Sequence, residues 1–283
     1  MTYKIIILLT LLLSSVFSAQ VSVSSKEVKN ANTVLVTLEE DDIKNPKLTF
    51  DKHNIKLFKY PNEINKYYAL VPVSYYKKLD DYKIIVSYIK NDKKLFKGIT
   101  IKVIDGEYKS EVINVPKGKV SLSKKNKIRT KKEYSSAMKI YNNTSSNFYI
   151  NGESINPINS KITSSFGKKR VYNGSLKSYH SGTDFKAAIG TSIKAINDGI
   201  VVISEDRFYA GNSIVINHGQ GLYSCYFHLS KMNYENGDFV KKGDILGLSG
   251  STGRVTGPHL HFAFRVHGIQ VDPLQLMNLL NNL

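Results

Sequence analysis

One cysteine, Cys225, occurs in 283 residues, so no intrachain disulfide can support the fold. It lies in Tyr-Ser-Cys-Tyr-Phe-His, where a buried packing role is the simplest reading. Strand alternation sets it on the face opposite His228. Beyond the N-terminus, no run is long and apolar enough to cross a bilayer. Histidine is nearly absent from the first half: of seven, only His53 precedes residue 151. There is no His-Glu-x-x-His, so no glutamate is placed between paired histidines as a general base. Acidic residues are scarce too, 23 against 40 basic, for a formal net charge of +17. That balance points to an anionic partner.

What is present begins with a leader. Lys4 precedes the apolar run Ile5 to Leu13, and small residues follow to Ser18-Ala19. This is the layout of a secretory signal peptide over residues 1–19, with an uncleaved N-terminal anchor as the rival reading. No cysteine stands at the cleavage site, which argues against a lipoprotein. Export to the periplasm, cell wall or exterior argues against nucleic acid as the anionic partner. A carboxylate-rich wall polymer fits the charge without that conflict.

Residues 20–105 read as short strands: Val34, Val36 and Leu38 alternate, Tyr68 to Val73 and Tyr82 to Tyr88 are β-prone, and Ile99, Ile101 and Val103 alternate again. Asn45-Pro46, Pro61-Asn62 and Asp80-Asp81 punctuate them as turns. A small antiparallel β-sandwich with a structural or regulatory role is expected. Residues 106–150 read as a linker. Lys117 to Lys132 holds eight basic residues and no acidic one, a solvated connector. Thr130-Lys-Lys-Glu133 then has the form of a capping box. Tyr134, Ala137, Met138 and Tyr141 follow at helical spacing, giving one apolar helix face.

The chemistry concentrates in residues 151–283, a β-rich stretch punctuated by glycine. Strands are expected over Lys194 to Ser204, Ser213 to His218, Leu222 to Leu229, Asp244 to Leu248 and His259 to His267. In Gly257-Pro-His-Leu-His-Phe262 the two histidines share a strand face, while Leu260 and Phe262 face the packing layer. Upstream stand His180 and Asp184 in His-Ser-Gly-Thr-Asp, and His228 in Tyr-Phe-His-Leu. Imidazoles with a carboxylate suit a borderline-soft ion, most commonly zinc. The glycine-rich run Gly247 to Gly257 can wall a narrow groove beside the metal, where extended peptides bind through main-chain hydrogen bonds.

Four stretches carry a family resemblance: Ile162-Thr-Ser-Ser-Phe-Gly-Lys-Lys-Arg170, His180-Ser-Gly-Thr-Asp184, Tyr226-Phe-His228, and Gly250 to His261. In these the chain resembles the LytM and lysostaphin group of zinc metallopeptidases, which cut peptide cross-links in bacterial peptidoglycan. The resemblance covers most of residues 151 to 275. It implies a barrel-sandwich β metallopeptidase domain over 151–283, one zinc per chain, and His180, Asp184 and His261 as its ligands. His228 and His259 resemble the family's second histidine pair, suited to move a proton of the attacking water or to stabilise the oxyanion. Which does which is open. Tyr226, on the expected face of His228, and Asn212 are weaker pocket candidates, and His218 and His267 are expected to be structural.

The fold class expected is mainly β: an N-terminal sandwich, a helical and basic linker, and the metallopeptidase domain. The function expected is endopeptidase cleavage of peptidoglycan. One rival is a metal-binding but inactive regulator of other wall hydrolases. The other is a non-enzymatic periplasmic adaptor, suggested by the carrier-like hairpin Gly237 to Asp244, which lacks the Met-Lys attachment pair of carriers.

Overall fold

The computed structural model describes residues 19–283 except 62, 114–120, 173 and 175. The signal peptide expected over residues 1–19 therefore lies, save its last residue, outside the described residues. Ten strands precede the long helix: β1 (Gln20–Val23), β2 (Glu27–Lys29), β3 (Thr33–Glu39), β4 (Lys44–Phe50), β5 (His53–Lys56), β6 (Phe58–Lys59), β7 (Lys66–Pro72), β8 (Asp81–Lys90), β9 (Lys93–Ile104) and β10 (Ser110–Ile113). Then come α1 (Lys124–Tyr141), β11 (Ile162–Ser164), β12 (Lys169–Tyr172), β13 (Leu176–Tyr179), β14 (Thr183–Lys186), β15 (Ser192–Lys194), β16 (Gly199–Arg207) and β17 (Gly211–Gly219). The chain ends with β18 (Leu222–Met232), β19 (Phe239–Val240), β20 (Ile245–Ser249), β21 (His259–Val266), β22 (Ile269–Val271) and α2 (Pro273–Leu280).

The N-terminal region is a sandwich of two sheets, ordered β1-β3-β7-β6 and β2-β9-β8-β4-β5. Period-two alternation builds it: Val34, Val36 and Leu38 from one sheet and Ile84, Val86 and Tyr88 from the other meet in one buried core. Asn45-Pro46 does not turn the chain. It lies inside β4, where Asn45 takes a left-handed φ of 52° and the pairing with β8 shifts register. A bulge absorbs the proline that regular pairing would reject.

The C-terminal region is a ten-stranded sheet along β11-β14-β21-β18-β17-β16-β19, with β15, β20 and β22 paired off that path. Its core gathers Ile193, Ile214, Tyr226, Leu260, Phe262 and Leu276, among others. Helix α2 closes it. Asp272 caps that helix by accepting from the N–H groups of Leu274 and Gln275, and Pro273 stands in its first turn.

The two regions share packing. Phe58, Tyr68 and Leu70 of the sandwich are buried in the C-terminal core. Gln275 makes paired hydrogen bonds, both 2.9 Å, with the backbone N–H and C=O of Thr33. Tyr75 stacks on Tyr179 at 3.9 Å between centroids.

The linker departs from the reading of the sequence in two places. Helix α1 begins at Lys124, capped by Ser123, whose side chain accepts from the Asn126 N–H. Thr130 is thus interior, donating its hydroxyl proton to the Lys127 carbonyl. Glu133 accepts from the Phe208 N–H and from Arg129 instead of capping. Lysine is a good helix former when its ammonium reaches water, so much of the basic run is helix rather than connector. The apolar face holds: Ala137 and Tyr141 are buried against Val215, Tyr223, Cys225 and Ala263. The second departure is β10, which pairs in parallel with β12 and so joins the linker to the β12–β13 hairpin. Among the described residues no helix is long and apolar enough to cross a membrane.

Candidate metal centre

Strand pairing brings the candidate ligands together. In the antiparallel pair β14–β21, Asp184 lies opposite His261 and Lys186 opposite His259. Directly opposed residues share a face, so carboxylate and imidazole stand side by side. His180 sits at the end of the β13 hairpin, four residues before Asp184. One ligand atom from each of His180, Asp184 and His261 lies within 4.8 Å of the others, and all three residues are buried.

Proton positions follow from the partners. His180 Nδ1 is 2.8 Å from the Ser165 carbonyl. A carbonyl only accepts, so Nδ1 carries the proton and Nε2 presents a lone pair. That lone pair faces Asp184 Oδ1 at 2.9 Å and His261 Nδ1 at 3.1 Å. His261 Nδ1 is itself 2.8 Å from Asp184 Oδ1. Burial alone would raise the Asp184 carboxyl's pKa, but the imidazoles of His180 and His261 beside it hold it far below the usual range. Burial draws His261 down to about 4 against the opposing pull of Asp184. An ionised carboxylate and two imidazole nitrogens converging in a buried pocket are the donor set of a divalent cation. A ligating histidine that gives its other N–H to a carbonyl is the usual second layer of such a site.

Gly182 makes this approach possible. A Cβ there would stand 2.5 Å from both His261 Nε2 and the Phe262 carbonyl, closer than any side chain tolerates. On the other side of the carboxylate, Arg170 Nη2 reaches Asp184 Oδ2 at 3.3 Å.

His228 arrives by a backbone irregularity. Phe227 pairs with His261 and stacks on its ring at 5.6 Å and 7°. His228 follows with φ 64°, which breaks the alternation and turns it to the same side. Its ring lies 4.9 Å from His259 and 5.8 Å from His261. Two expectations fail for this reason. Tyr226 does not share the face of His228; it is fully buried in the core, where its hydroxyl accepts from the Ile196 N–H at 3.0 Å. Cys225 is not on the opposite face; it pairs with Ala263, on the His261 side of the sheet, beneath α1 and beside Tyr141. Burial pushes its thiol up to about 11.

The second pair also has fixed tautomers. His228 Nδ1 is 2.8 Å from the Thr252 carbonyl and His259 Nδ1 is 2.8 Å from the Gly257 carbonyl. Both therefore protonate Nδ1 and keep Nε2 as an acceptor. His259 Nε2 comes to 3.6 Å from Asp184 Oδ1. Burial, with His261 and His259 adding to it, pushes His228 down to about 3, so it is neutral at neutral pH. Thr252 belongs to the glycine-rich loop, held down where Gly211, at φ 64°, leaves room: a Cβ there would meet the Thr252 hydroxyl at 2.2 Å. Asn212 contributes its backbone N–H to the same hydroxyl.

The loop does wall a groove. A cleft of 460 Å³ is lined by Thr256 to His259, Asp184, Arg170 and Lys186, and on its far side by Glu111 to Ile113 of β10. Glu111 Oε1 bonds Arg170 Nε at 2.6 Å and Oε2 bonds Lys168 Nζ at 3.2 Å. Burial raises the Glu111 carboxyl, but the bonds from Arg170 and Lys168 outweigh it and leave it below its usual range. Arg170 and Gly182 were visible as members of their motifs but had no assigned task. Glu111 had no local signal, because only long-range parallel pairing brings it here. His218 and His267 lie away from the site: His218 bonds the Asp198 carbonyl and Ser224, and His267 bonds Thr144.

The region that holds these residues is similar to known proteins. Residues 178–273 match the profile of Peptidase family M23. The chain carries a peptidase family M23 domain. Peptidoglycan DD-endopeptidase ShyA of Vibrio cholerae is 43% identical over 122 residues, 42% of this chain and 28% of ShyA. DD-carboxypeptidase/endopeptidase Mpg of Neisseria meningitidis is 38% identical over 97 residues, 34% of this chain and 22% of Mpg. The chain thus spans less than a third of the length of these curated relatives. A Pseudomonas aeruginosa structure classed with the M23 peptidases superposes with a TM-score of 0.65 at 23% identity, covering 86% of this chain and 92% of that one. The fold described above is therefore similar to that structure over most of its length.

Proposed function

We propose that this protein is an exported zinc endopeptidase that hydrolyses an amide bond in the stem or cross-bridge peptides of bacterial peptidoglycan. The observation that carries the reading is the convergence of one carboxylate and two imidazole nitrogens, within 4.8 Å of one another, beside a second pair of histidines. His180, Asp184 and His261 would hold the ion, leaving a position for water. Zinc in such a site lowers the pKa of its bound water toward roughly 7 and polarises the scissile carbonyl.

The chain's own groups do the rest. Thr252 and Gly257 fix His228 and His259 with Nε2 unprotonated, so either can take a proton from the attacking water and then present N–H to the oxyanion or leaving amine. Arg170 holds the second oxygen of Asp184, which fixes the carboxylate's orientation. The cleft between the glycine-rich loop and β10 accommodates an extended peptide. The charge of +17 favours approach to an anionic wall. Residues 20–105, which carry none of the site's side chains, have a structural or regulatory role, and residues 106–150 link them to the peptidase region. Complete side-chain machinery favours the enzyme over an inactive regulator, and a buried ligand cluster favours it over an adaptor.

The test is digestion of purified sacculi, with the released muropeptides identified by mass spectrometry. New amino and carboxyl termini at a peptide cross-link, lost on chelation and restored by zinc, are expected. Intact sacculi with the zinc-loaded protein would overturn the reading.

A further inference from the structure

The cleft contains a charge arrangement that the ligands and the histidine pair leave unexplained. Glu111 reaches in from β10 and divides its two oxygens between two cations, Arg170 Nε at 2.6 Å and Lys168 Nζ at 3.2 Å. The same Arg170 holds Asp184, so the Glu111 carboxylate sits one guanidinium away from the candidate metal centre. Lys186 lines the cleft as well.

The strand that delivers Glu111 is lightly held. Among the described residues β10 pairs only with β12, over four residues, with Glu111 beside Arg170. Val112 between the cleft residues is 72% exposed. Without Glu111, Lys168 and Arg170 would lose the carboxylate that both of them bond at the cleft. A fork of guanidinium and ammonium is a carboxylate receptor, and an edge strand is a template for an extended peptide.

We infer that Lys168 and Arg170 form a subsite for a free carboxylate of the substrate peptide, and that Glu111 occupies it from within the chain as a stand-in. A peptide added along β12 in place of β10 sets its carboxylate where the Glu111 side chain lies and its backbone beside the metal centre. This inference rests on the endopeptidase reading, because stem peptides carry free carboxylates at their termini and side chains. Lys168 and Arg170 then determine specificity, selecting peptides whose carboxylate is free over those in which it is amidated.

The experiment uses the full, zinc-loaded chain and two fluorescein-labelled stem pentapeptides that differ only in a terminal D-alanine carboxylate or carboxamide. Fluorescence anisotropy measures their binding to wild type, Glu111→Gln and Lys168→Met. Charge-assisted hydrogen bonds predict that Glu111→Gln binds the carboxylate peptide about 10- to 100-fold tighter than the carboxamide. Wild type should show a smaller preference, and Lys168→Met little or none. Equal affinities for the two peptides in Glu111→Gln would overturn the subsite. Should that variant not fold, a carboxylate preference in Lys168→Met equal to wild type's would overturn it instead. Turnover of a cross-linked muropeptide, measured beside binding, separates the two readings. A chain that prefers the carboxylate but cuts nothing retains the subsite and loses the endopeptidase. One that cuts but binds both peptides alike does the reverse.

Discussion

Two pockets in the C-terminal domain each bury histidine, and they differ in what the imidazole meets. His218 is fully buried, with Nδ1 2.6 Å from the Asp198 carbonyl and Nε2 2.7 Å from the Ser224 hydroxyl. Each nitrogen has a partner of the right polarity, and the ring is part of the core. His180 is just as buried, and its Nδ1 also donates to a carbonyl. Its Nε2, however, faces a carboxylate oxygen and another imidazole nitrogen. Burial does not distinguish the two. The gathering of a carboxylate and a second imidazole does, because that donor set suits a cation.

Substitutions can break that comparison. The largest effect is expected at His261→Ala, which removes one of the three converging donors. Bound zinc should fall from about one per chain toward none, with hydrolysis falling to background; metal analysis of the purified variant checks it. Ser224→Ala, in the other pocket, should leave zinc content and turnover unchanged. It strands the buried His218 Nε2 and should cost about 1–3 kcal/mol of stability, measured by denaturant unfolding.

Acid should sharpen the contrast further. Burial lowers His218 from 6.5 to about 4. The unfolded chain then binds the extra proton between those values, so stability is complete above about pH 6.5 and falls as pH drops toward 4. The loss amounts to about 3 kcal/mol at most. Unfolding free energies measured across that window in wild type and His218→Asn check it. The variant should lose the share of the slope that belongs to His218, the buried His228, His261 and His267 being lowered over the same window and supplying the rest; an unchanged slope would assign it wholly to other groups.

Much of the site was legible because its signals are local. His-x-His on a strand, and His and Asp four residues apart, state their geometry in the sequence, and β14–β21 pairing only had to bring them together. The sandwich was legible from alternation at Val34, Val36, Leu38 and at Ile99, Ile101, Val103. What escaped depends on backbone irregularity or on distance. The positive φ of His228 reverses the alternation that placed Tyr226 and Cys225. The α1 start was misjudged because Thr130-Lys-Lys-Glu133 mimics a cap, while Ser123 is the residue whose side chain meets a free N–H. Helix α2 does carry a readable signal, Asp272-Pro273 ahead of Leu276, Met277 and Leu280. Glu111 carries none, since parallel pairing with Arg170 is what gives it a role.

The central claim is that three residues bind the ion while the second pair of histidines does chemistry. Zinc content and hydrolysis of a cross-linked muropeptide, measured on the same preparation of His228→Ala, test it most directly. The account predicts about one zinc per chain, as in wild type, with turnover lowered roughly 100- to 10,000-fold, the scale of a lost general acid–base group. Loss of the zinc would make His228 a ligand, and full activity would make it a packing residue; either result contradicts the assignment.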